Sequence, residues 1–344
     1  MKQLIDKLAK KQNLTDQELK TLISDRSQEE YLFEKAREAV KEVYGNKIFI
    51  RGLIEISNYC KNDCFYCGIR KSNRLAKRYR LTEQEILSCC DRGHKLGFRT
   101  FVLQGGEDGY FTDEKLCNLI KEIKQNHSDC AVTLSLGERS KESYKRLFEA
   151  GADRYLLRHE TACMEHYNML HPTEMSYKNR IEAIKNLKEI GYQTGCGFMV
   201  GTPRQSVENI VADLRFIKNL SPEMVGIGPF LPHKDTPFAK EKAGSADLTV
   251  YLLAIVRLMN RKVLLPATTA LGTADGNGRE KGILAGANVI MPNLSPQSAR
   301  EKYNLYDNKL HTGAENALEL ERIKESVSKI GYEIVVDRGD FKNI

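Results

Sequence analysis

Short apolar runs alternate with amphipathic helical segments along most of this 344-residue chain, and this alternation limits the possible folds more than any other feature. A strand followed by a helix and then by another strand is typical of a parallel sheet wrapped by helices. The candidate strands are IFIRGLIEIS, TFVLQ, AVTLSL, DRYLLR, QTGCGFMVG, MVGIGPF, VLLPATTA and NVIMPN. Eight strand–helix units in about 250 residues predict an α/β fold with a complete (β/α)8 TIM-type barrel, in preference to an open doubly wound sheet.

Helical patterns also stand before and after this alternation. In SQEEYLFEKAREAVKEVYG, the apolar residues Leu32, Ala36, Ala39 and Val40 fall on one helical face. The segment ALELERIKESVSKIGYEIVVDRG predicts a helix and a short strand. We therefore expect an N-terminal helical extension (residues 1–46), the barrel (47–310) and a C-terminal extension packed on the barrel (311–344).

The composition excludes several classes of protein. Apolar residues make up 41% and charged residues 29%, which suits a globular chain with a large core. The net charge is +7, but Lys and Arg are spread among almost as many Asp and Glu, so we expect no nucleic-acid partner. The densest basic run, residues 70–80, is either a surface loop or a contact for an anionic ligand or partner. With no membrane-length apolar run and no signal-peptide core, we expect a cytoplasmic protein without a membrane partner.

The first predicted strand is followed by YCKNDCFYCG, in which Cys60, Cys64 and Cys67 have the spacing CxxxCxxC. Nine cysteines in a chain without a secretion signal indicate metal or catalytic use rather than disulfides. Three thiolates can hold a 4Fe-4S cluster and leave its fourth iron open to a ligand. A zinc site completed by a histidine is an alternative, although the nearest downstream histidine, His94, lies beyond a predicted helix. A chance trio of structural cysteines is another, and the other six cysteines are interpreted as small buried hydrophobes.

Polar residues at the ends of other strands extend this site, because barrel active sites lie at the carboxyl ends of the strands. Strand four ends with Arg158 and Glu160, which period-two alternation points to one side. They form either a structural salt bridge or a site for a charged ligand. Strand seven ends with Thr268 and Thr269, whose hydroxyls either hold an anion or belong to ordinary β-branched strand residues. We interpret His159 as a structural, hydrogen-bonding histidine.

The cysteine spacing, placed after a first strand and with Tyr66 before the last cysteine, resembles the signature of radical S-adenosylmethionine (SAM) enzymes. In that superfamily the open iron chelates the amino and carboxylate groups of SAM's methionine. One electron from the cluster then breaks the S–C5′ bond and gives a 5′-deoxyadenosyl radical. The end of strand two, Gly105, Gly106 and Glu107, resembles the motif that binds the methionine amino group.

Longer blocks resemble the HydE family, the radical SAM maturase of FeFe-hydrogenase, over about residues 47–310. They are RGLIEISNYCKNDCFYCG, VLQGGED, VTLSLGE, DRYLLRHETA, MVGIGPFLPHKDTP, PATTALGT and GANVIMPN. Biotin synthase and the methylornithine synthase of pyrrolysine biosynthesis share the barrel. The resemblance implies one 4Fe-4S cluster on the three cysteines, SAM at the top of the barrel and a deep internal cavity. It assigns SAM contacts to Tyr66, Gly105, Gly106, Glu107, Ser135, Glu160 and Arg180, and substrate contacts to Arg158, Thr268, Thr269, Tyr303 and Tyr306.

The family's role is to process a cysteine-bound iron carbonyl cyanide unit during assembly of the hydrogenase di-iron site. The resemblance therefore implies a small organometallic or amino-acid-like anionic substrate, a reductant protein, and other hydrogenase maturases as partners. The chain departs from some members because no cysteine follows Cys196, which excludes their C-terminal accessory cluster. GGED and GTPRQS, in place of SGED and GLPGQT, alter the loops around SAM. The rival functions are a biosynthetic radical SAM mutase or sulfur-insertion enzyme, and a non-catalytic iron–sulfur carrier, which would not turn over SAM.

Overall fold

The computed structural model describes residues 1–310 and 316–342 and has the predicted barrel at its centre. All of its named strands pair in parallel. The strands are β1 (Lys47–Ile50), β2 (Gly52–Ser57), β3 (Thr100–Gly105), β4 (Ala131–Ser135), β5 (Arg154–Leu156), β6 (Gln193–Cys196), β7 (Met199–Val200), β8 (Met224–Val225), β9 (Gly228–Pro229), β10 (Val289–Ile290) and β11 (Glu333–Val335). Seven of the eight segments predicted as strands therefore contain named strands, whereas the seventh, VLLPATTA, contains only isolated bridges.

The barrel closes through single residues as well as through ladders. One sheet runs in the order β2, β3, β4, β5, β6, β8. Leu264 and Pro266, in the seventh position of the barrel, bridge Met224 of β8 and Val289 of β10. Strand β10 pairs with β1, and Asn293 bridges Leu53 of β2, which completes the ring. The seventh strand is reduced to bridges because a proline cannot donate a ladder hydrogen bond.

Helices precede, separate and follow the strands. They are α1 (Lys2–Lys11), α2 (Asp16–Ser24), α3 (Glu29–Tyr44), α4 (Glu83–Lys95), α5 (Asp113–Asn126), α6 (Lys141–Glu149), α7 (Met164–Leu170), α8 (Tyr177–Ile190), α9 (Val207–Leu220), α10 (Ala246–Met259), α11 (Thr269–Ala274), α12 (Gly278–Leu284), α13 (Gln297–Arg300) and α14 (Leu320–Lys329). Capping boxes at Thr82 and Ser206 satisfy the first free N–H groups of α4 and α9. Among the described residues, no helix is both long and apolar enough to cross a bilayer.

Helix α10 shows how the N-terminal helices complete the core. It is buried continuously from residue 249 to 259 because α3 packs on the side of it that a barrel helix normally exposes. The predicted apolar face of α3, with Leu32 and Ala36, is buried there. Arg257 is also buried in α10, where its guanidinium donates to the backbone oxygens of Gly286 and Val263 at 2.8 and 2.7 Å.

The C-terminal extension closes the amino end of the barrel. Strand β11 pairs with β1, and the residues after it reach Arg154, a fully buried arginine at the start of β5. Arg154 donates to the Asp340 carboxylate at 2.6 Å and to the Thr100 hydroxyl at 2.9 Å, while Arg338 pairs with Asp153 at 2.8 Å. These bonds seal the end of the barrel that lies opposite the cysteine loop.

Candidate active site

The loop that carries the three cysteines packs directly against the end of β3. The backbone amide of Lys61 donates to the backbone oxygen of Glu107 at 2.9 Å, and the backbone amide of Glu107 donates to the Cys60 sulfur at 3.4 Å. A Cβ atom on Gly106 would lie 2.2 Å from the Tyr59 oxygen, so only glycine fits there. The structure therefore brings the GGE segment and the cysteine loop together, backbone against backbone.

The three cysteines are unpaired thiols in a shared, half-buried site. Burial raises the pKa of all three, to about 12 for Cys67, and the neighbouring thiols add to the rise for Cys64 and Cys67. Such thiols stay protonated at neutral pH unless a metal displaces the proton. Three buried thiols on one loop, close enough to act on one another's pKa, fit a 4Fe-4S cluster with one open iron. Among the described residues, Met175 is a further sulfur nearby, 3.7 Å from the Cys64 sulfur.

Tyr66 is held between the cysteines and a buried histidine. Its hydroxyl lies 3.1 Å from His171 Nε2, while His171 Nδ1 lies 2.9 Å from the Tyr167 oxygen. Since a backbone oxygen can only accept, Nδ1 carries the proton and Nε2 accepts from Tyr66. The His171 ring also stacks on Tyr167, with ring centroids 4.0 Å apart. His171 thus fixes the position of the Tyr66 ring. Burial, with smaller contributions from Cys64 and Glu160, raises the pKa of the Tyr66 hydroxyl.

We expect this histidine to make stability fall in mild acid. Burial lowers the pKa of His171 from 6.5 to about 4. The unfolded chain therefore takes up a proton before the folded one as the pH falls from about 6.5 to about 4, and folding loses stability across that window. Between pH 7 and pH 5 the loss from this residue should be about 2 kcal/mol.

The measurement is urea unfolding of the wild type and of His171→Gln at both pH values. Other titrating groups affect both proteins equally, so the pH effect of the histidine is the difference between them. An equal loss of unfolding free energy in both proteins would show that His171 is protonated in the folded state.

A chain of charged groups connects the loop after β3 to the loop after β5 across the mouth of the barrel. The Glu107 carboxylate accepts from the Glu138 amide at 2.9 Å. The Glu138 carboxylate pairs with Arg180 of α8, and Arg180 Nη1 donates to the Arg158 oxygen at 2.8 Å. The positive charge of Arg180 also lowers the pKa of Cys64, but the rise caused by burial is larger. The predicted SAM residues Glu107 and Arg180 thus share one network beside the cysteines.

Arg158 and Glu160 form the predicted ion pair, with Nη2 and Oε2 2.7 Å apart. Glu160 has φ of +64°, a left-handed backbone that is costly for a residue with a side chain. The Arg158 Nε atom is buried and has no hydrogen-bond partner among the described residues. The pair is thus an ion pair with a left-handed backbone at Glu160 and, among the described residues, an unsatisfied buried donor at Arg158 Nε.

Thr268 and Thr269 lie at the start of a helix rather than in a strand. Thr268 is the N-cap of α11 and accepts from the Leu271 amide at 3.3 Å, which leaves its own hydroxyl proton available to donate. Thr269 is the first residue of that helix. The expectation that both continue strand seven is wrong at this point, because the capping hydrogen bond of Thr268 begins the helix at Thr269.

The loop after the eighth strand carries Tyr303 and Tyr306. Tyr303 is buried, and burial together with the nearby Glu55 raises its pKa well above the usual value. Lys309 Nζ lies 4.7 Å from its ring centroid and pairs with the fully buried Glu55 of β2. Tyr306 is half-buried. Tyr303 therefore belongs to the barrel interior, whereas Tyr306 lies nearer the surface.

Two further predicted residues have simple environments. Ser135 ends β4 in a half-buried position, and its hydroxyl makes no hydrogen bond within the described residues. His159 is fully buried, accepts from the Gly197 amide at 3.2 Å and faces Asp213 at 3.3 Å. This agrees with the interpretation of His159 as a structural histidine.

Several residues around the site were not predicted from the sequence. Glu138 and His171 lie in loops whose local pattern carries no signal, and their roles appear only through contacts with Glu107 and Tyr66. Glu55 could have been noticed, since it is a lone acidic residue in an apolar strand. Arg51, a buried arginine between β1 and β2, has Nε and Nη2 without partners among the described residues, and burial lowers its pKa well below the usual value.

A parallel (β/α)8 barrel with three cysteines in the loop after its first strand defines a radical SAM enzyme. The sequence model of the protein family described as the radical SAM superfamily matches residues 54–217 of this chain. The chain is 44% identical to the [FeFe] hydrogenase maturase subunit HydE of Thermotoga maritima, covering 90% of this chain and 88% of that protein. This chain belongs to the HydE family of radical SAM hydrogenase maturases.

Other relatives share the barrel. The chain is 32% identical to 3-methylornithine synthase of Methanosarcina acetivorans, over 86% of this chain and 84% of that protein. A crystal structure of methylornithine synthase superimposes with a TM-score of 0.86 at 28% identity, covering 96% of this chain and 97% of the other. The hydrogenase maturase HydG superimposes with a TM-score of 0.83 at 23% identity over 96% of this chain and 75% of the other, which shows the shared fold.

We expect Arg180→Ala to weaken SAM binding. Charge-assisted hydrogen bonds are typically worth about 1.5 to 3 kcal/mol, so affinity should fall roughly tenfold or more. Calorimetric titration of the cluster-loaded protein with SAM measures this, and the iron content should not change. Lys178→Ala is the matched control, because Lys178 is exposed on the same helix. Unchanged affinity in Arg180→Ala would place the SAM carboxylate elsewhere.

Proposed function

We propose that this maturase acts on a small anionic, cysteine-bound iron carbonyl cyanide complex. The observation that carries the proposal is the Arg158–Glu160 pair next to the site of the cysteines. Glu160 has a left-handed backbone, and the buried Arg158 Nε has no hydrogen-bond partner in the described part of the chain. A guanidinium with a free donor inside a barrel is suited to a carboxylate, which a cysteine ligand offers.

The cofactors are assigned by the chemistry of the residues. Cys60, Cys64 and Cys67 would hold one 4Fe-4S cluster, and SAM would lie over the network of Glu107, Glu138 and Arg180. When bound, the cluster and SAM supply a 5′-deoxyadenosyl radical. The residues of the protein would orient SAM, exclude water and hold the substrate close to the radical.

The SAM-binding residues divide by charge and shape. Glu107, with a side chain 9% exposed, would accept from the methionine ammonium, and Arg180 would donate to its carboxylate. Tyr66, fixed by His171, offers a ring edge or face to the adenine. Gly105 and Gly106 would let the backbone approach SAM closely. Ser135 at the end of β4 would offer a hydroxyl, and Glu160 after β5 would offer a carboxylate.

The substrate would lie deeper, between the strand ends. Arg158 would donate to its carboxylate, and the hydroxyls of Thr268 and Thr269 would add donors from the start of α11. Tyr303 lies on the opposite side, next to β2 and β3, and would close the cavity together with Tyr306. Arg51, deeper still, would offset further negative charge.

The second candidate function is an amino-acid rearrangement like that named by the methylornithine synthase relatives. The superposition with that enzyme and the 32% identity favour it as the rival. The greater identity to the hydrogenase maturase, 44%, ranks it second.

The test is an anaerobic maturation assay. Apo-hydrogenase should gain activity only when this protein, SAM, reductant and the iron carbonyl cyanide–cysteine complex are all present, and 5′-deoxyadenosine should form in step with complex consumed. Formation of 3-methylornithine, without any effect on hydrogenase, would support the rival instead. Maturation that proceeds without this protein would refute the proposal.

A further inference from the structure

The basic run that follows the cysteines forms a turn with three cations that have no side-chain partner among residues 1–310 and 316–342. Between residues 68 and 82 there are six Arg or Lys and no Asp or Glu. Arg70 pairs with Asp63 at 2.7 Å, and Arg80 pairs with Asp108 at 2.7 Å. By contrast, the exposed side chains of Lys71, Arg74 and Lys77 have no hydrogen bond or ion pair within the described residues. We call residues 71–77 the basic turn.

The basic turn is fastened to the cysteine loop itself. The Lys71 amide donates to the Asn62 oxygen at 2.8 Å, and the Asn73 side chain donates to the Gly68 oxygen at 2.7 Å. Both acceptors flank the cysteines. The turn is therefore an extension of the cluster-binding loop, at a fixed position on its surface.

Arg78 strengthens this attachment. Its guanidinium donates to backbone oxygens of both segments, at 2.8 Å to Ile69, 2.7 Å to Arg70 and 3.1 Å to Asn73, and also to Asn58. Four carbonyl acceptors satisfy most of the donors that a guanidinium has. Its charge is near enough to counter the rise that burial gives to the pKa of Cys60 and Cys67.

The centre of the basic turn is apolar. Leu75 is 75% exposed, a large exposure for a leucine, and it stands between Arg74 and Lys77 in the sequence. Tyr59, 37% exposed, lies beside the turn with the Arg80 guanidinium 3.9 Å from its ring centroid. An exposed apolar side chain flanked in the sequence by like charges suits a transient, electrostatically steered interface.

We propose that the basic turn is the docking surface for an acidic electron-transfer protein that reduces the cluster. The inference rests on the proposed function, because radical formation needs one electron per SAM cleaved. One electron leaves the reduced donor, a low-potential flavin or iron–sulfur protein with a negatively charged face, and enters the cluster. The donor is oxidised by one electron and the cluster is reduced by one. No bond between the two proteins forms.

The charges decide which partner fits. Within the part of the chain that the structure describes, these three cations have no ion pair, so they attract an acidic protein and repel a basic one. Asp63, the acidic residue that precedes them in the loop, is already paired with Arg70. Attraction of this kind acts mainly on the association rate, which it can raise by 10- to about 1,000-fold, and it weakens as salt screens it. The predicted signature is thus a salt-dependent rate of reduction.

The experiment follows cluster bleaching in the visible range by anaerobic stopped flow, with a reduced acidic flavodoxin as the probe. The test variant carries Lys71→Glu, Arg74→Glu and Lys77→Glu together. The control variant carries Lys2→Glu, Lys10→Glu and Lys11→Glu, which makes the same change in net charge on the exposed face of α1. Photoreduced deazaflavin, a small reductant that needs no docking surface, is the reference for each protein.

We expect the test variant to be reduced by flavodoxin at least about tenfold more slowly than the wild type at low salt, with deazaflavin reduction unchanged. The control variant should keep most of the wild-type rate. The wild-type rate itself should fall as salt is added, and this can be measured even if the test variant loads its cluster poorly. A salt-independent wild-type rate, or equal slowing in both variants, would overturn the docking surface.

Failure of the proposed function would look different. In that case the wild type would bleach with either reductant, yet it would form no 5′-deoxyadenosine or would not support hydrogenase maturation. The docking surface would still be confirmed by the rates of reduction.

Discussion

Cys64→Ser is expected to abolish the iron–sulfur cluster and all SAM cleavage. The Cys64 thiol is one of three adjacent half-buried thiols, and burial raises its pKa well above the usual value. Two remaining thiols cannot hold a cubane that the fold provides with only three protein ligands. Iron should fall from about four atoms per chain to near zero, with loss of visible absorption. Formation of 5′-deoxyadenosine should fall to background.

The matched control is Cys117→Ser. Cys117 is also a free, half-buried cysteine, but it lies in α5. It should retain the cluster and SAM cleavage, and circular dichroism should show both variants folded. A wild-type protein that binds zinc instead of iron, or a Cys64→Ser protein that keeps four irons, would contradict the assignment.

Arg158→Ala is expected to stop hydrogenase maturation while leaving the cluster and SAM binding in place. The Arg158 side chain pairs with Glu160 and keeps a buried donor free, so its removal takes away the charge proposed to hold the substrate carboxylate. One charge-assisted contact of this kind is worth about 1.5 to 3 kcal/mol, or roughly 10- to 150-fold in substrate affinity. The maturation assay measures the loss.

Three comparisons separate a local effect from general damage. Uncoupled SAM cleavage without substrate should continue in Arg158→Ala, since the cysteines are untouched. Arg158→Lys should recover part of the maturation activity, because it restores the charge without the planar fork. Arg322→Ala removes an exposed, ion-paired arginine of α14 and should have no effect. Normal maturation by Arg158→Ala would show that the substrate carboxylate binds elsewhere.

The agreement between sequence and structure depends on how local each signal is. Seven of the strands were predicted because a parallel strand buried on both faces is mainly apolar, as in β2 and β4. The cysteine site was predicted because all three ligands lie within eight residues of one loop. Thr268 was placed in a strand because PATTA carries a β-branched pattern, and nothing in that pattern reveals the capping bond to Leu271.

Contacts between distant parts of the chain could not be predicted in the same way. His171 supports Tyr66 across 105 residues, and Lys309 reaches Glu55 across 254. No spacing rule relates residues so far apart, because only closure of the barrel brings their loops to the same end. Glu160 has a left-handed backbone that no property of a glutamate predicts. It occurs where the Glu160 amide donates a hydrogen bond to the backbone oxygen of Gly197, which is 37 residues away in the chain.

The amino-acid sequence by itself determined the order of most strands and helices, the spacing of the three cysteines and the family, since each of these depends on residues close together in the chain. Tertiary structure alone decided how the pieces act on one another. It joined Glu107, Glu138, Arg180 and Arg158 into one network, left Arg158 Nε without a partner among the described residues, and set the basic turn against the cysteine loop. The physical reason is that burial and charge–charge distances depend on packing in space, which local sequence patterns do not encode.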